Sequence, residues 1–525
     1  MAVHGIIKRV LIYSIAGTVA AGAYSCTHYE KNASHRNVPD ENIKKGKQLA
    51  AVYCQSCHLL PDPSLLDAKH WETGVLPGMG PRLGIFDYGF IHYPNSRNDP
   101  NVDKNYYPSK PMLGTQNWQY IIDYYTSLSP DSLPGQDRKT AVKSGLSMFT
   151  VVPAVFKEPL PTTCFVQVDT LAAKRQVVMS DLKSKQLIML SAGGAVLDSF
   201  SGAGTVVDLD HQPGKLVACN IGLINPNNGK YGTIGSIGFN ALGKMEKDSS
   251  LRINGLERPV QVTAADFNRD GKMDYLVCEF GNLAGALSWL ENKGDGHFER
   301  HVIRGVAGPI KAYISDVNHD GLPDVWALFT QGDEGIFLFT NQGNGTFRTE
   351  TILRFQSIAG SSYFEFADFN KDGYPDILYT CGDNADYSPV LKPYHGVYIY
   401  LNDKTNHFKQ SYFFPMYGAF KAMARDFDGD GDLDIAAISF FADYTHHPDE
   451  TFIYLENKGN LDFQPYSVPG TDQGRWLTMD AGDVDGDGRT DLVLGNFSIA
   501  PAFLKGAANW KNGPPYIVLK NGEKK

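Results

Sequence analysis

The chain has 525 residues, 42% of them hydrophobic and 20% charged, which is long enough for two domains with real cores. Its formal net charge is −10, and no basic patch interrupts that balance, so a nucleic-acid partner is excluded on charge.

The first 26 residues differ from the rest. Lys8 and Arg9 precede an apolar run from Val10 to Ala23, and Ser25-Cys26 follows. The run is short for a transmembrane helix and reads as an export signal, placing the mature chain in the periplasm or on the cell surface. Small residues followed by Cys resemble a bacterial lipoprotein signal. That resemblance implies lipidation at Cys26 and a membrane anchor, with ordinary cleavage or a retained anchor as the alternatives. Residues 27–40 are a polar linker.

Residues 41–130 are expected to form a small all-α domain. Asn42 to Tyr53 has the pattern of a helix and leads directly into Cys54-Gln55-Ser56-Cys57-His58. Two thiols at this spacing can add to the two vinyl groups of one haem, and the adjacent histidine can reach its iron. A second predicted helix, Gln116 to Leu128, carries Trp118, Ile121, Ile122, Tyr124 and Tyr125. No second CxxC is present for a four-cysteine zinc site. The arrangement resembles a class I cytochrome c. This implies one haem c on Cys54 and Cys57, with His58 as one iron ligand and Met79 or Met112 as the other. Both methionines sit in loop-like stretches, and the sequence around Trp71 and Leu76-Pro77 favours Met79. The stretch from Asp87 to Ser109, rich in Tyr, Asn and Pro, is placed over the haem edge or against the next domain.

After a linker at 131–147, residues 148–525 repeat. Five stretches carry oxygen side chains at positions 1, 3, 5 and 9 with glycine at 6, the pattern a hard cation needs from a short loop. They are Asp266, Asn268, Asp270 and Asp274; Asp316, Asn318, Asp320 and Asp324; Asp368, Asn370, Asp372 and Asp376; Asp426, Asp428, Asp430 and Asp434; and Asp483, Asp485, Asp487 and Asp491. The first aspartates lie 50, 52, 58 and 57 residues apart, and each unit reads as four strands, the blade of a β-propeller. Two degenerate units, opening at Phe165 and Val206, precede the five and bring the count to seven. The last unit runs out after three strands, so Met148 to Phe156 is expected to supply its fourth and close the ring. The expected architecture is therefore multidomain: a small all-α cytochrome c domain followed by an all-β seven-bladed propeller.

The repeat resembles the FG-GAP (VCBS) family, also seen in the heads of integrin α subunits. The resemblance implies about five bound Ca²⁺ ions in a structural role, and five such ions would offset the whole formal charge of −10. It does not imply an activity. Cys164, Cys219, Cys278 and Cys381 read as small buried apolar residues.

If the metal loops join strands one and two of each blade, the loops between strands two and three emerge on the opposite face. Those loops vary most, and such loops carry binding sites. Lys392, Tyr394, His395, His446 and Arg475 are the candidates there, with Lys311 and Gln473 expected on connections reaching the same face. The reading that follows is an exported electron carrier with a redox partner protein, whose calcium-stabilised propeller binds a carbohydrate or protein ligand. A carbohydrate-active lyase, dehydratase or oxidoreductase using Lys392, Tyr394 and His395 is one alternative. An adhesion scaffold is the other.

Overall fold

The computed structural model describes residues 29–169, 175–385, 387–501, 503–504 and 509–522. The stretch expected to be an export signal, with Cys26, lies outside the described residues. No helix among the described residues is long and apolar enough to cross a membrane.

Seven sheets follow one another around a ring, giving a seven-bladed β-propeller. Blades one to five are consecutive four-stranded antiparallel meanders, opening with Thr163–Asp169, Val206–Gln212, Pro259–Ala265, Pro309–Ser315 and Ser361–Ala367. Blade six opens with Ala419–Arg425 and blade seven with Trp476–Gly482. Phe149–Pro153 pairs antiparallel with Tyr516–Asn521 as the fourth strand of blade seven, so the ring is closed by the start of the repeat region. Closure removes the open edges that a curved sheet would otherwise expose.

The strand sequences explain their layers. The second strands Asp274–Glu279, Asp324–Phe329, Asp376–Cys381, Asp434–Ser439 and Asp491–Asn496 are buried along their whole length and are almost continuously apolar. Fourth strands such as Phe347–Arg354 are largely exposed and rich in Arg, Glu and Thr. The four cysteines of the propeller are buried free thiols.

Ahead of the ring lie two 14-residue helices, α1 (Asp40–Tyr53) and α2 (Thr115–Leu128). They cross at Gly46, where a Cβ would sit 1.9 Å from the Tyr120 carbonyl oxygen. Only glycine permits that approach. Ile43, Trp71, Leu76, Trp118, Ile121 and Tyr125 form a buried cluster around the crossing. Trp71 and Tyr125 pack with ring centroids 4.3 Å apart.

The stretch expected to be a linker at 131–147 is bound to the propeller surface. Gln136 Nε2 donates to the His395 carbonyl at 2.8 Å, and Arg138 makes a two-armed pair with Glu450, its Nη2 lying 2.6 Å from Oε2. Lys143–Ser144 then adds a short parallel strand to the edge of blade six.

Candidate functional site

The metal-type loops join the first and second strands of blades three to seven, on one face of the ring. Each winds on its own acids. The first aspartate accepts the glycine N–H at position six through its second oxygen, at 2.9 Å for Asp266 and Gly271 and 2.8 Å for Asp483 and Gly488. That glycine is left-handed in all five loops, with φ from 80° to 92°, a conformation other residues adopt only at a cost. The third and fifth side chains accept N–H groups two residues on, as at Asn268 and Asp270.

Position nine has a second job that the motif alone does not reveal. Asp274, Asp324, Asp376, Asp434 and Asp491 are fully buried. In each, one oxygen accepts an N–H from position two of its own loop: Phe267, Val317, Phe369, Phe427 and Val484. The other accepts the N–H of an asparagine at or near the end of strand three: Asn292, Asn341, Asn402, Asn457 and Asn521. One carboxylate thus ties loop, second strand and third strand together. Burial raises the pKa of Asp274, Asp376 and Asp491, and pushes Asp434 up to about 6. Carboxyl oxygens of Asp426, Asp428 and Asp434 lie within 4.8 Å of one another, as do those of Asp483, Asp485 and Asp491. An all-oxygen donor set converging at this spacing suits a hard divalent cation.

In the N-terminal region, α1 runs directly into the CxxCH motif. Cys54 is half-buried, and burial pushes its thiol up to about 12, with Cys57 adding to the effect. Cys57 is exposed. The His58 Nδ1 lies 2.7 Å from the Leu59 carbonyl oxygen. Donation from Nδ1 to that carbonyl leaves Nε2 as the free lone pair. Met79 packs against the buried cluster of this region, whereas Met112 is 52% exposed.

Three stretches, residues 266–327, 316–379 and 426–494, match the FG-GAP-like repeat. The chain carries FG-GAP-like repeats. A Plasmodium falciparum (isolate 3D7) protein described as "T-cell immunomodulatory protein homolog" is 25% identical over 237 residues, covering 38% of this chain and 32% of that protein. The match therefore spans about a third of the length of that curated relative. A chain from a structure of S. cerevisiae Dbp5 bound to Nup159, Gle1, IP6 and ADP overlays with a TM-score of 0.40 and 10% identity, covering 74% of this chain and 99% of that one.

Opposite the FG-GAP-like metal loops, the face expected to hold an open polar site is instead largely packed. Lys392 is buried, and its Nζ donates to Asn384 at 2.7 Å. His395 is fully buried, and its pKa falls well below the ordinary histidine value through burial and the neighbouring Lys392 charge. Tyr394 hydrogen-bonds the carbonyls of Leu65 and Ile358, each at 3.3 Å. Arg475 is fully buried under blades six and seven. It lies 3.5 Å over the Phe440 ring and donates to the Phe440 and Ile499 carbonyls. Of the five candidates, only His446 stands exposed, held by Asp443 at 2.9 Å. The five do not converge.

What covers this face is the N-terminal region. The Tyr387 carbonyl and ring fit against Gly74 and Gly78, where a Cβ would come within 2.1 and 2.9 Å. Val390 and Ile358 join the cluster around α1 and α2. On the far side, Asp99 of the Tyr-, Asn- and Pro-rich stretch accepts from Asn228 of blade two at 2.9 Å. The helical region thus touches the ring at blades two and five.

Lys311 lies within the inner strand of blade four, not on a connection, and faces the central channel. The residues sequence reading missed are there. Each inner strand is an edge whose backbone groups need partners. Side chains of one blade supply them to the next. Asp208 accepts from Val262 N, Gln261 from Ala312 N, Glu365 from Ala424 N and Asp480 from Val168 N, at 2.5–2.9 Å. Lys421 donates to the Met479 carbonyl at 2.6 Å and Tyr313 to the Phe364 carbonyl at 3.2 Å. Burial pushes Asp208 up to about 6, against the pull of Lys311, and lowers Lys421. Gln167, Asp169, Asp208, Asp210, His211 and Lys311 line a cavity of about 460 Å³ in this channel. Polar residues alternating on an inner strand were the available signal.

Proposed function

We propose that this is an exported, lipid-anchored electron-transfer protein. Its N-terminal region carries one c-type haem, and its calcium-stabilised FG-GAP-like propeller is a scaffold for a ligand or protein partner. The observation that carries the reading is the donor set at the end of α1. It comprises two thiols two residues apart and an imidazole whose Nδ1 is engaged by the Leu59 carbonyl at 2.7 Å, so that Nε2 is left to bind iron. Bound there, the haem would supply one-electron oxidation and reduction. Met79 is the better second iron ligand, because it is partly buried against the core of this region while Met112 is 52% exposed. A redox partner protein would complete the electron path.

The scaffold half rests on the repeats and on the ring itself. The channel cavity, rather than the covered loop face, is the polar recess available to a small ligand. The burial of Lys392, His395 and Arg475 within packed contacts favours the scaffold reading over a lyase or dehydratase. Asp426, Asp428 and Asp434, with their counterparts in the other four loops, would hold calcium.

The test is an optical spectrum of the chain matured in a host that attaches c-type haem. The expected result is a low-spin spectrum lost in Met79→Ala and kept in Met112→Ala. A low-spin spectrum unaffected by Met79→Ala would reject that ligand. Absence of any haem spectrum would reject the electron-transfer reading.

A further inference from the structure

The outer edge of blade three brings two carboxylates and an imidazole together. Its third strand, Ala286–Gly294, and fourth strand, His297–Arg304, set Glu291 directly opposite Glu299 and Trp289 opposite His301. Alternate residues share a face, so all four side chains project together. Two carboxylates directly opposite each other repel. Even so, ligand atoms of Glu291, Glu299 and His301 lie within 4.8 Å of one another. His301 Nε2 is 2.7 Å from Glu291 Oε2. Its ring stacks on Trp289, with centroids 4.6 Å apart and planes 22° from parallel. Lys293 Nζ stands 2.8 Å from Glu291 and 3.2 Å from Glu299, which relieves the repulsion. The other Glu291 oxygen accepts from Asn268 of the neighbouring metal loop at 3.1 Å.

We propose that Glu291, Glu299 and His301 form a site for a borderline divalent cation of the Zn²⁺ and Ni²⁺ class, chemically distinct from the five oxygen loops. Imidazole selects such ions over Ca²⁺, and two carboxylates with one imidazole leave the remaining positions to water. The ligands stand on a rigid two-strand ladder rather than on a loop, and the Trp289 stack fixes the imidazole plane, so little ordering is needed on binding. Lys293 occupies the place of the cation when none is bound, and an incoming ion displaces its ammonium. Through Asn268 the site also touches the blade-three FG-GAP-like loop.

The test titrates Ni²⁺ into the full chain in excess Ca²⁺ and reads tryptophan fluorescence. A paramagnetic ion beside His301 quenches Trp289, and Zn²⁺ added afterwards restores the emission. The quench is expected to be absent from Trp289→Phe, roughly tenfold or more weaker in affinity in His301→Ala and Glu299→Gln, and tighter in Lys293→Ala, which removes the competing ammonium. Identical titrations for wild type and His301→Ala, or a full quench in Trp289→Phe, would mean adventitious nickel elsewhere and overturn the site. So would unchanged or weaker binding in Lys293→Ala, a surface change that leaves the ladder intact.

Discussion

Asp434 shows how one residue type can serve two ends. Its carboxylate accepts N–H groups from Phe427 and Asn457 and the Tyr454 hydroxyl, with Oδ2 and Tyr454 2.6 Å apart. Removing it orphans three buried donors, so Asp434→Ala should cost on the order of 4 kcal/mol. Urea unfolding in chelator separates this from metal loss, because Asp428→Ala, at a loop position outside the staple, should cost much less there. Equal costs would refute the staple. In the channel, burial pushes the Asp208 carboxyl up to about 6 from its ordinary 3.8. The folded state therefore holds a proton that the unfolded chain has released, and this group's contribution to stability falls as pH rises from about 4 to about 6. Asp208→Asn should lose that slope, measured as unfolding free energy against pH. The metal-type positions were legible because five copies repeat them in register. The staple at position nine was not, because one of its donors belongs to the third strand, beyond a loop of variable length. Nor were the channel carboxylates, whose partners belong to the next blade.

Among the elements, the repeat announced its own strands: apolar second strands, aromatic third strands ending in Asn, and a missing fourth strand in the last unit that Phe149–Pro153 supplies. The stretch at 131–147 has no such pattern, yet Gln136, Arg138 and Lys143 fasten it to blades five and six. Its contacts are isolated side chains reaching carbonyls and one carboxylate, together with a two-residue strand, and these leave no periodic trace. The helix crossing is equally specific. A side chain at Gly46 collides with the Tyr120 backbone, which cannot move without shifting α2. Gly46→Ala should therefore destabilise the helical region by about 3 kcal/mol. A near-ultraviolet circular dichroism melt that follows Trp71 and Trp118 would show an early transition in the variant. An unchanged melt would mean that the helices can separate without cost.

At the scale of the whole molecule, the metal-loop face is a linked belt. Arg269 of blade three donates to the Gly321 carbonyl of blade four at 3.0 Å, Lys371 of blade five reaches Asp432 of blade six at 2.6 Å, and Arg175 pairs with Asp483 across the closure. Cations bound in such loops stabilise only the folded ring. Chelator should lower the melting temperature by several degrees, and Ca²⁺ should restore it better than Mg²⁺, which demands tighter octahedral geometry. No change on chelation would contradict a calcium-stabilised ring. The opposite face is where sequence reading and structure diverge most. Polar and aromatic loop residues there looked like an open site, but glycines 74 and 78 let blade five dock on the helical region, and Arg475 is buried separately under Phe440. Docking of that kind depends on shape between distant segments and leaves no motif. It also places the CxxCH-bearing region against the propeller, where an electron carrier and a binding scaffold would act as one body. The most direct test is the intact mass of the full chain matured in a host that attaches c-type haem, compared with Cys54→Ser/Cys57→Ser. The account predicts one haem covalently added to the native chain and none to the variant. A native chain at its unmodified mass would contradict it.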